Sequence, residues 1–149
     1  YNISSPLLFH LVSAASHIDE QVFMLQAEVV ERMVAQAGSS DFSRLSVMLQ
    51  ARYDMELVLE VPPEAFEPAP KVNSAVVRMI PRKEFHLNSA QWSALEQVVA
   101  AAFSQRRKML RTNLQPFASK LKLSEDELKA RAQDISVDRY IEWAKLLAN

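Results

Sequence analysis

The chain has 149 residues, 49% of them hydrophobic, which suits one medium-sized domain or one and a half small ones. It has no cysteine, which excludes disulfides and thiolate metal sites, and no apolar run reaches the roughly 18 residues of a membrane-spanning helix. The formal net charge is −1, but residues 1–80 carry 5 Lys and Arg against 10 Asp and Glu, whereas residues 81–149 carry 12 against 8. The second part is therefore better suited to an anionic partner.

The glycine content limits what the chain is able to bind. Gly38 is the one glycine, where average usage gives roughly ten in this length. Loops that cradle phosphates or nucleotides need glycines for tight turns and for close approach of the backbone. We therefore expect no glycine-rich cofactor loop here. The three histidines are scattered without ligand spacing, so no metal site is expected.

Helices and strands are predicted to alternate in the first part. Ser5, before a proline, is a plausible N-cap for a helix in residues 5–15. The apolar run 21–27 is consistent with a buried strand. Residues 53–61 alternate apolar and acidic side chains with a period of two, and residues 74–80 form a second β-rich run. The three runs predict three strands.

Two further helices are predicted between the first and second strands. Residues 28–37 have apolar side chains at helical spacing, and Gly38 is a plausible stop just beyond them. Asp41 is a candidate N-cap for the helix that follows.

After Pro81 the pattern predicts helices only. Ser89 is a candidate cap for a long helix, which residues 103–114 continue or follow. Ser124 begins a capping box, and Ser136 is a candidate cap for the last helix. The change of character places the boundary between the two parts near residues 81–88.

A proline-rich segment joins the second and third predicted strands. It presents one large aromatic, Phe66, and it ends with Lys71 just before the strand. A rigid aromatic on a loop is a suitable platform for stacking a nucleobase. The alternative is a proline-rich turn with Phe66 packed into the core, and the residues alone favour that simpler interpretation.

A basic run occupies residues 103–114. Four cations fall within six residues without an intervening acid, namely Arg106, Arg107, Lys108 and Arg111. On a helix they form a positive face that binds phosphates with salt-sensitive affinity. A solvated helix face is the equally weighted alternative.

Taken together, the motifs resemble the ribosomal RNA adenine N6-dimethyltransferase family of the small subunit. Residues 1–8 read Tyr-Asn-Ile-Ser-Ser-Pro-Leu-Leu, similar to the family's segment that starts at the Tyr of Asn-Leu-Pro-Tyr. Residues 66–74 match Phe-x-Pro-x-Pro-Lys-Val-x-Ser at every fixed position. Residues 103–114 resemble the Phe-x-Gln-Arg-Arg-Lys-x-Leu-Arg-x-Asn-Leu run. The resemblance covers essentially the whole chain.

The resemblance implies an α/β fold: the last three strands of a Rossmann-like methyltransferase domain in residues 1–82 and a small all-α RNA-binding domain in residues 83–149. The family's binding loop for S-adenosylmethionine and most of its Asn-Leu-Pro-Tyr motif are expected before residue 1. The chain is then expected to bind no cofactor and to be inactive alone. The first strand lacks its neighbour, and an unpaired apolar edge predicts self-association.

The resemblance also implies the chemistry. The intact enzyme transfers methyl groups from S-adenosylmethionine to N6 of two adjacent adenines in small-subunit rRNA during ribosome biogenesis, in the cytoplasm. Tyr1 and Phe66 match the aromatics that flank the target base. Lys71 and the four cations of the basic run are expected to bind rRNA, with no membrane or metal involved. A non-catalytic RNA-binding or ribosome-assembly module, a large-subunit rRNA methyltransferase that confers antibiotic resistance, and a DNA binder are the alternatives.

Overall fold

A computed structural model describes residues 4–149, in which a three-stranded sheet with helices on one face adjoins a bundle of short helices. The strands are β1 (Gln21–Gln26), β2 (Tyr53–Val61) and β3 (Ser74–Pro81). The helices are α1 (Ser4–Val12), α2 (Ala27–Val34), α3 (Arg44–Gln50), α4 (Ser89–Ala102), α5 (Leu110–Asn113), α6 (Ala118–Leu121), α7 (Glu125–Lys129) and α8 (Val137–Ala148). Four single-turn 3-10 helices lie at residues 15–17, 63–65, 115–117 and 132–134.

The sheet has the order β1-β3-β2, with β3 in the centre and antiparallel to both neighbours. Phe23 of β1 and Leu57 of β2 both pair with Val77 of β3, which fixes the register across the sheet. The ladder between β2 and β3 has one irregularity, between Leu57 and Leu59. The three strands predicted over residues 21–27, 53–61 and 74–80 are confirmed to within one residue at each end.

The two faces of the sheet differ sharply in burial. One face packs on α1, α2 and α3, and its side chains Val77 and Met79 are 0% and 1% exposed. On the other face, Val22 and Met24 of β1 are 58% and 52% exposed, and Leu59 of β2 is 48% exposed. Because β1 pairs with β3 alone among the described residues, its second edge has no strand partner there.

The core of the helical part is built around aromatic side chains. Tyr140 and Trp143 of α8 are fully buried and meet edge to face, with ring centroids 5.2 Å apart. The hydroxyl of Tyr140 donates to the carbonyl of Ala132 at 2.7 Å, and burial raises the pKa of Tyr140 far above its ordinary value. Phe103 stacks on Tyr140 from the end of α4. This core also contains Phe42, from the segment before α3, so both parts of the chain contribute to it.

Two of the five predicted N-caps are confirmed. The hydroxyl of Ser124 accepts from the backbone N–H of Glu127, completing the predicted capping box of α7. Ser136 caps α8 in the same way, by accepting from Arg139. Arg139 in turn donates to the carboxylate of Glu127 at 2.6 Å, and this bond lowers the pKa of Glu127.

The remaining caps are wrong by one or two residues. Asn88, rather than Ser89, accepts from the third amide of α4, and its longer side chain forms a capping box with Gln91. Ser43, rather than Asp41, precedes α3 as its N-cap and exchanges bonds with Ser46. The first helix begins at Ser4, so Ser5 lies inside it.

Gly38 is also not a helix stop. Helix α2 ends at Val34, and Gly38 lies four residues later in a turn with φ of +94°. Its N–H donates to the carbonyl of Gln133 at 2.7 Å, which ties this turn to the helical part. The left-handed φ gives a reason for glycine at this position.

No described helix is long and apolar enough to cross a membrane. No group of three or more His, Asp or Glu side chains within residues 4–149 is arranged to hold a metal ion.

Candidate nucleic-acid interface

The proline-rich segment forms a surface loop between β2 and β3, here called the Phe66 loop (residues 62–73). A single 3-10 turn opens it, and the N–H of Phe66 donates to the carbonyl of Pro63 at 3.1 Å. The Glu67–Pro68 peptide bond is cis. At the far end, the carbonyl of Asn73 accepts from the N–H of Ala27, 2.9 Å away at the start of α2. The loop is therefore anchored where β1 ends and α2 begins.

The Phe66 ring is half-buried, and it is not among the side chains that pack on either hydrophobic core of the described residues. The simpler interpretation, with Phe66 inside the core, is thus not what the fold shows. Lys71 is exposed on the same loop. An aromatic ring and a cation on one anchored loop provide a stacking surface and a charge for a nucleotide. Tyr1, the second predicted stacking residue, lies outside the described residues.

The basic run does not form the continuous helix that the sequence predicts. Helix α4 ends at Ala102, residues 103–109 form turns, and α5 begins at Leu110. Arg107 and Arg111 therefore do not share one helical face. We call residues 103–111 the basic segment.

Buried contacts of an asparagine explain the shape of the basic segment. Asn113 is 8% exposed, and its amide nitrogen donates to the carbonyls of Ala102 at 2.8 Å and Gln105 at 2.9 Å. These are carbonyls that a continuous helix would bond to its own later amides. The side chain thus holds the turn by replacing the helical hydrogen bonds. In the sequence, Asn113 lies three residues after Leu110 and directly before Leu114, where helical spacing favours an apolar side chain. This polar residue was the available sequence signal for the turn.

Arg106 differs from the other cations of the basic segment. Its Nε donates to the side-chain oxygen of Gln133 at 3.1 Å, and its Nη2 donates to the carbonyl of Ser40. Ser40 belongs to the same turn as Gly38, so Arg106 fastens that turn to the helical part. Two of its donors are occupied within the protein, which leaves fewer for a phosphate.

Arg107, Lys108 and Arg111 are exposed, and none of the ion pairs found within residues 4–149 includes them. Their charges are therefore available to an external anion. No hydrogen bond or ion pair between side chains of the described residues joins the basic segment to the Phe66 loop. The two groups of predicted site residues are therefore not joined by such bonds.

The chain was compared with known proteins. The family model described as ribosomal RNA adenine dimethylase matches residues 1–149. Proteins named ribosomal RNA small subunit methyltransferase A, from Burkholderia mallei (strain SAVP1) and Burkholderia pseudomallei (strain 668), are 54% identical over 151 residues. These matches cover 100% of this chain and 55% of each relative, so the chain spans about half the length of the curated relatives.

Solved structures give the same fold. A dimethyladenosine transferase from Plasmodium falciparum superposes with a TM-score of 0.80 at 25% identity, covering 96% of this chain and 62% of that one. The 23S rRNA methyltransferase ErmE superposes with a TM-score of 0.68 at 21% identity, covering 100% and 62%. The predicted α/β class, as the C-terminal part of a methyltransferase fold, is confirmed.

Replacing Asn113 with Ala is expected to loosen the basic segment. The buried carbonyl of Ala102 loses the donor from Asn113, and the carbonyl of Gln105 keeps only the N–H of Lys108, which together costs about 1–3 kcal/mol of unfolding free energy. Urea denaturation measures this loss, and hydrogen exchange of amides 104–109 reports the loosening. Thr112→Ala is the matched control, because Thr112 is exposed on the same short helix. Unchanged stability and exchange in Asn113→Ala would contradict the role of this side chain.

Proposed function

This chain belongs to the ribosomal RNA adenine dimethylase family, and we propose that its residues hold RNA for transfer of methyl groups to adenine N6 in small-subunit rRNA. The observation that supports this most directly is the basic segment, whose turn is fixed by Asn113 and whose three exposed cations have no acidic partner among residues 4–149. In this proposal Arg107, Lys108 and Arg111 bind phosphates and orient the RNA with little sequence readout.

The Phe66 loop is proposed to receive the target base. Adenine N6 is a poor nucleophile because its lone pair is delocalised into the ring, so catalysis depends on holding the amine in position. Stacking on the half-exposed ring of Phe66 is worth about 1–3 kcal/mol. Tyr1 is proposed to act on the same base, and Lys71 on a neighbouring phosphate. We also propose that residues 1–82 are the C-terminal portion of the methyltransferase domain and that residues 83–149 form a helical rRNA-binding domain.

The described residues do not fit S-adenosylmethionine, the methyl donor that the family implies. A nucleotide cradle needs closely approaching glycine backbone, and Gly38 lies instead in a turn bonded to Gln133. We therefore propose that these 149 residues alone hold no cofactor and do not methylate RNA. A role in ribosome biogenesis, and hence a cytoplasmic location, belongs to the same proposal.

Two alternatives remain distinct from this proposal. A large-subunit enzyme is favoured only by the likeness to ErmE, which at 21% identity concerns the fold. The relatives at 54% identity carry small-subunit names, which supports the small-subunit substrate. A non-catalytic RNA-binding module fits the basic segment equally well, and measurements of cofactor and RNA binding separate it from the enzyme.

Calorimetry with S-adenosylmethionine tests the cofactor proposal. The 149 residues are expected to give no binding heat, because they lack a glycine-rich cradle. The full-length Burkholderia mallei relative, measured under the same conditions, is the control and is expected to bind. Tight binding by the 149 residues would place the cofactor site within them and contradict the proposal that they hold no cofactor.

Salt dependence of RNA binding tests the basic segment. We expect each of three single variants to make the slope of log affinity against log salt less negative by about 0.7–0.9, since each removes one phosphate contact: Arg107→Gln, Lys108→Gln and Arg111→Gln. The ligands are a structured small-subunit rRNA fragment and duplex DNA, of which the rRNA should bind more tightly. Arg32→Gln is the matched control, because Arg32 is exposed on α2 and pairs with Glu28. Slopes that match this control would contradict the assignment.

Self-association through β1 is proposed for the 149 residues. Strand β1 has no strand partner on its second edge among the described residues, and its side chains Val22 and Met24 are exposed on the open face of the sheet, a combination that favours pairing with another chain. Sedimentation velocity should show dimers or larger species, and Met24→Lys should shift them toward monomer. Leu7→Lys is the control, since Leu7 is also apolar and exposed but lies on α1. A monodisperse wild-type monomer would count against pairing.

A further inference from the structure

A cleft of about 460 Å³ lies where α1, the start of β2 and the start of α4 meet. Its volume is in the range of small-ligand sites. The side chains that matter to its chemistry are Phe9, Arg52, Phe85, Trp92 and Glu96. Arg52 directly precedes β2 and Phe66 follows it, so this strand of nine residues separates the cleft from the Phe66 loop. At about 3.3 Å per residue, the separation is on the order of 25 Å.

Arg52 is the unusual group in the cleft. It is 8% exposed, yet no ion pair within residues 4–149 includes it. Its Nη1 donates to the carbonyl of Arg82 at 3.3 Å, and its guanidinium lies 4.4 Å from the ring centroid of Phe85. Buried cations are normally paired with an acid, because desolvation of an isolated charge is costly. Arg52 thus provides a desolvated positive charge without an anionic partner in the part of the chain that the structure describes.

The start of α4 adds to the positive potential. The side chain of Asn88 accepts from the N–H of Gln91, and the earlier amides of the helix have no intrahelical acceptor. The helix has 14 residues, so its dipole favours an anion at this end. Ser89 and Ser93 also line the cleft, and a serine hydroxyl is able to donate to an anion.

Aromatic side chains form the walls of the cleft. Phe85 and Trp92 meet edge to face, with centroids 5.8 Å apart, and Phe9 lies across from them on α1. Arg44 lies 6.0 Å from the Phe9 ring and lines the adjoining groove with Trp92. Aromatic and guanidinium planes of this kind stack on nucleobases.

Glu96 narrows the choice of ligand. Glu96 is exposed, and it lines the cleft together with Arg52 and the adjoining groove together with Arg44. It opposes a bare anion that would fill the whole space, but it accepts hydrogen bonds from an amino or hydroxyl group. A ligand that carries a phosphate, an aromatic ring and such donors matches all of these features.

We propose that this cleft binds one nucleotide, with the base against Phe9 and Trp92 and the phosphate against Arg52 and the first turn of α4. The identification of the nucleotide as part of an RNA strand rests on the proposed function. A free nucleotide shares the same chemistry and is the other possible source.

The fluorescence of Trp92 tests the proposal in the purified protein. Trp143 is fully buried in the helical core, and its fluorescence is measured separately in the Trp92→Phe variant and subtracted as a constant background. Adenosine monophosphate, inorganic phosphate and a short single-stranded RNA are titrated separately.

The variant Arg52→Met removes the charge but retains an apolar side chain, and it is expected to weaken nucleotide binding about tenfold. Arg44→Gln, an exposed second variant, is expected to weaken it several-fold without affecting folding, whereas Arg32→Gln on α2 should leave it unchanged.

Each outcome bears on one of the two proposals. Saturable quenching of Trp92 by RNA, weakened in Arg52→Met and Arg44→Gln, supports an RNA nucleotide in the cleft. Quenching by adenosine monophosphate but not by RNA supports a free nucleotide. Equal effects of inorganic phosphate, or no response to any nucleotide, overturn the cleft proposal.

RNA binding that responds to Arg107→Gln but leaves the fluorescence of Trp92 unchanged overturns the cleft as an RNA site and leaves the proposed function standing. If RNA does not bind at all, the proposed function fails, and the adenosine monophosphate titration decides the cleft independently.

Discussion

Helix α3 belongs to two hydrophobic cores at once, and the arrangement of both parts of the chain depends on this. Val47 and Met48 are buried in the core of the helical part, whereas Leu49 is buried under the sheet. Phe42, just before the helix, is fully buried among the helical-part side chains. Cores of this kind are close-packed, so the shared helix fixes the helical part against the sheet rather than leaving it on a flexible linker.

Hydrogen bonds also join the sheet part of the chain to the helical part. The turn that precedes α3 is tied to the helical part by the N–H of Gly38, which donates to Gln133, and by Arg106, which donates to Ser40 and Gln133. The basic segment begins next to these contacts, so its exposed cations are positioned relative to the sheet. The proposed function requires such a fixed position, because phosphate contacts orient an RNA only if they are held relative to the place where the base is bound.

The sequence predicted most of the fold because its strongest signals are local. The alternation in residues 53–61 has a period of two, which only a strand satisfies with one buried face. Ser124 and Ser136 cap their helices through bonds that reach only three residues along the chain. The same locality explains the errors at Ser89 and Asp41, since each has a competing polar neighbour, Asn88 or Ser43, at an equally suitable position. Local rules rank such neighbours almost equally.

The sequence by itself determined the family, the three strands and the identity of the exposed cations and of Phe66, because motifs and periodicity are properties of the chain. Only the tertiary structure decided which of these groups are available. The helix predicted through residues 103–109 is absent because the buried amide of Asn113 takes over its carbonyls. Arg106 is partly occupied because Ser40 and Gln133, distant in sequence, lie against it. Arg52 gave no sequence signal, and its buried charge faces a cleft because α1 and α4 pack around it. These outcomes depend on contacts between residues far apart in the chain, which no local pattern encodes.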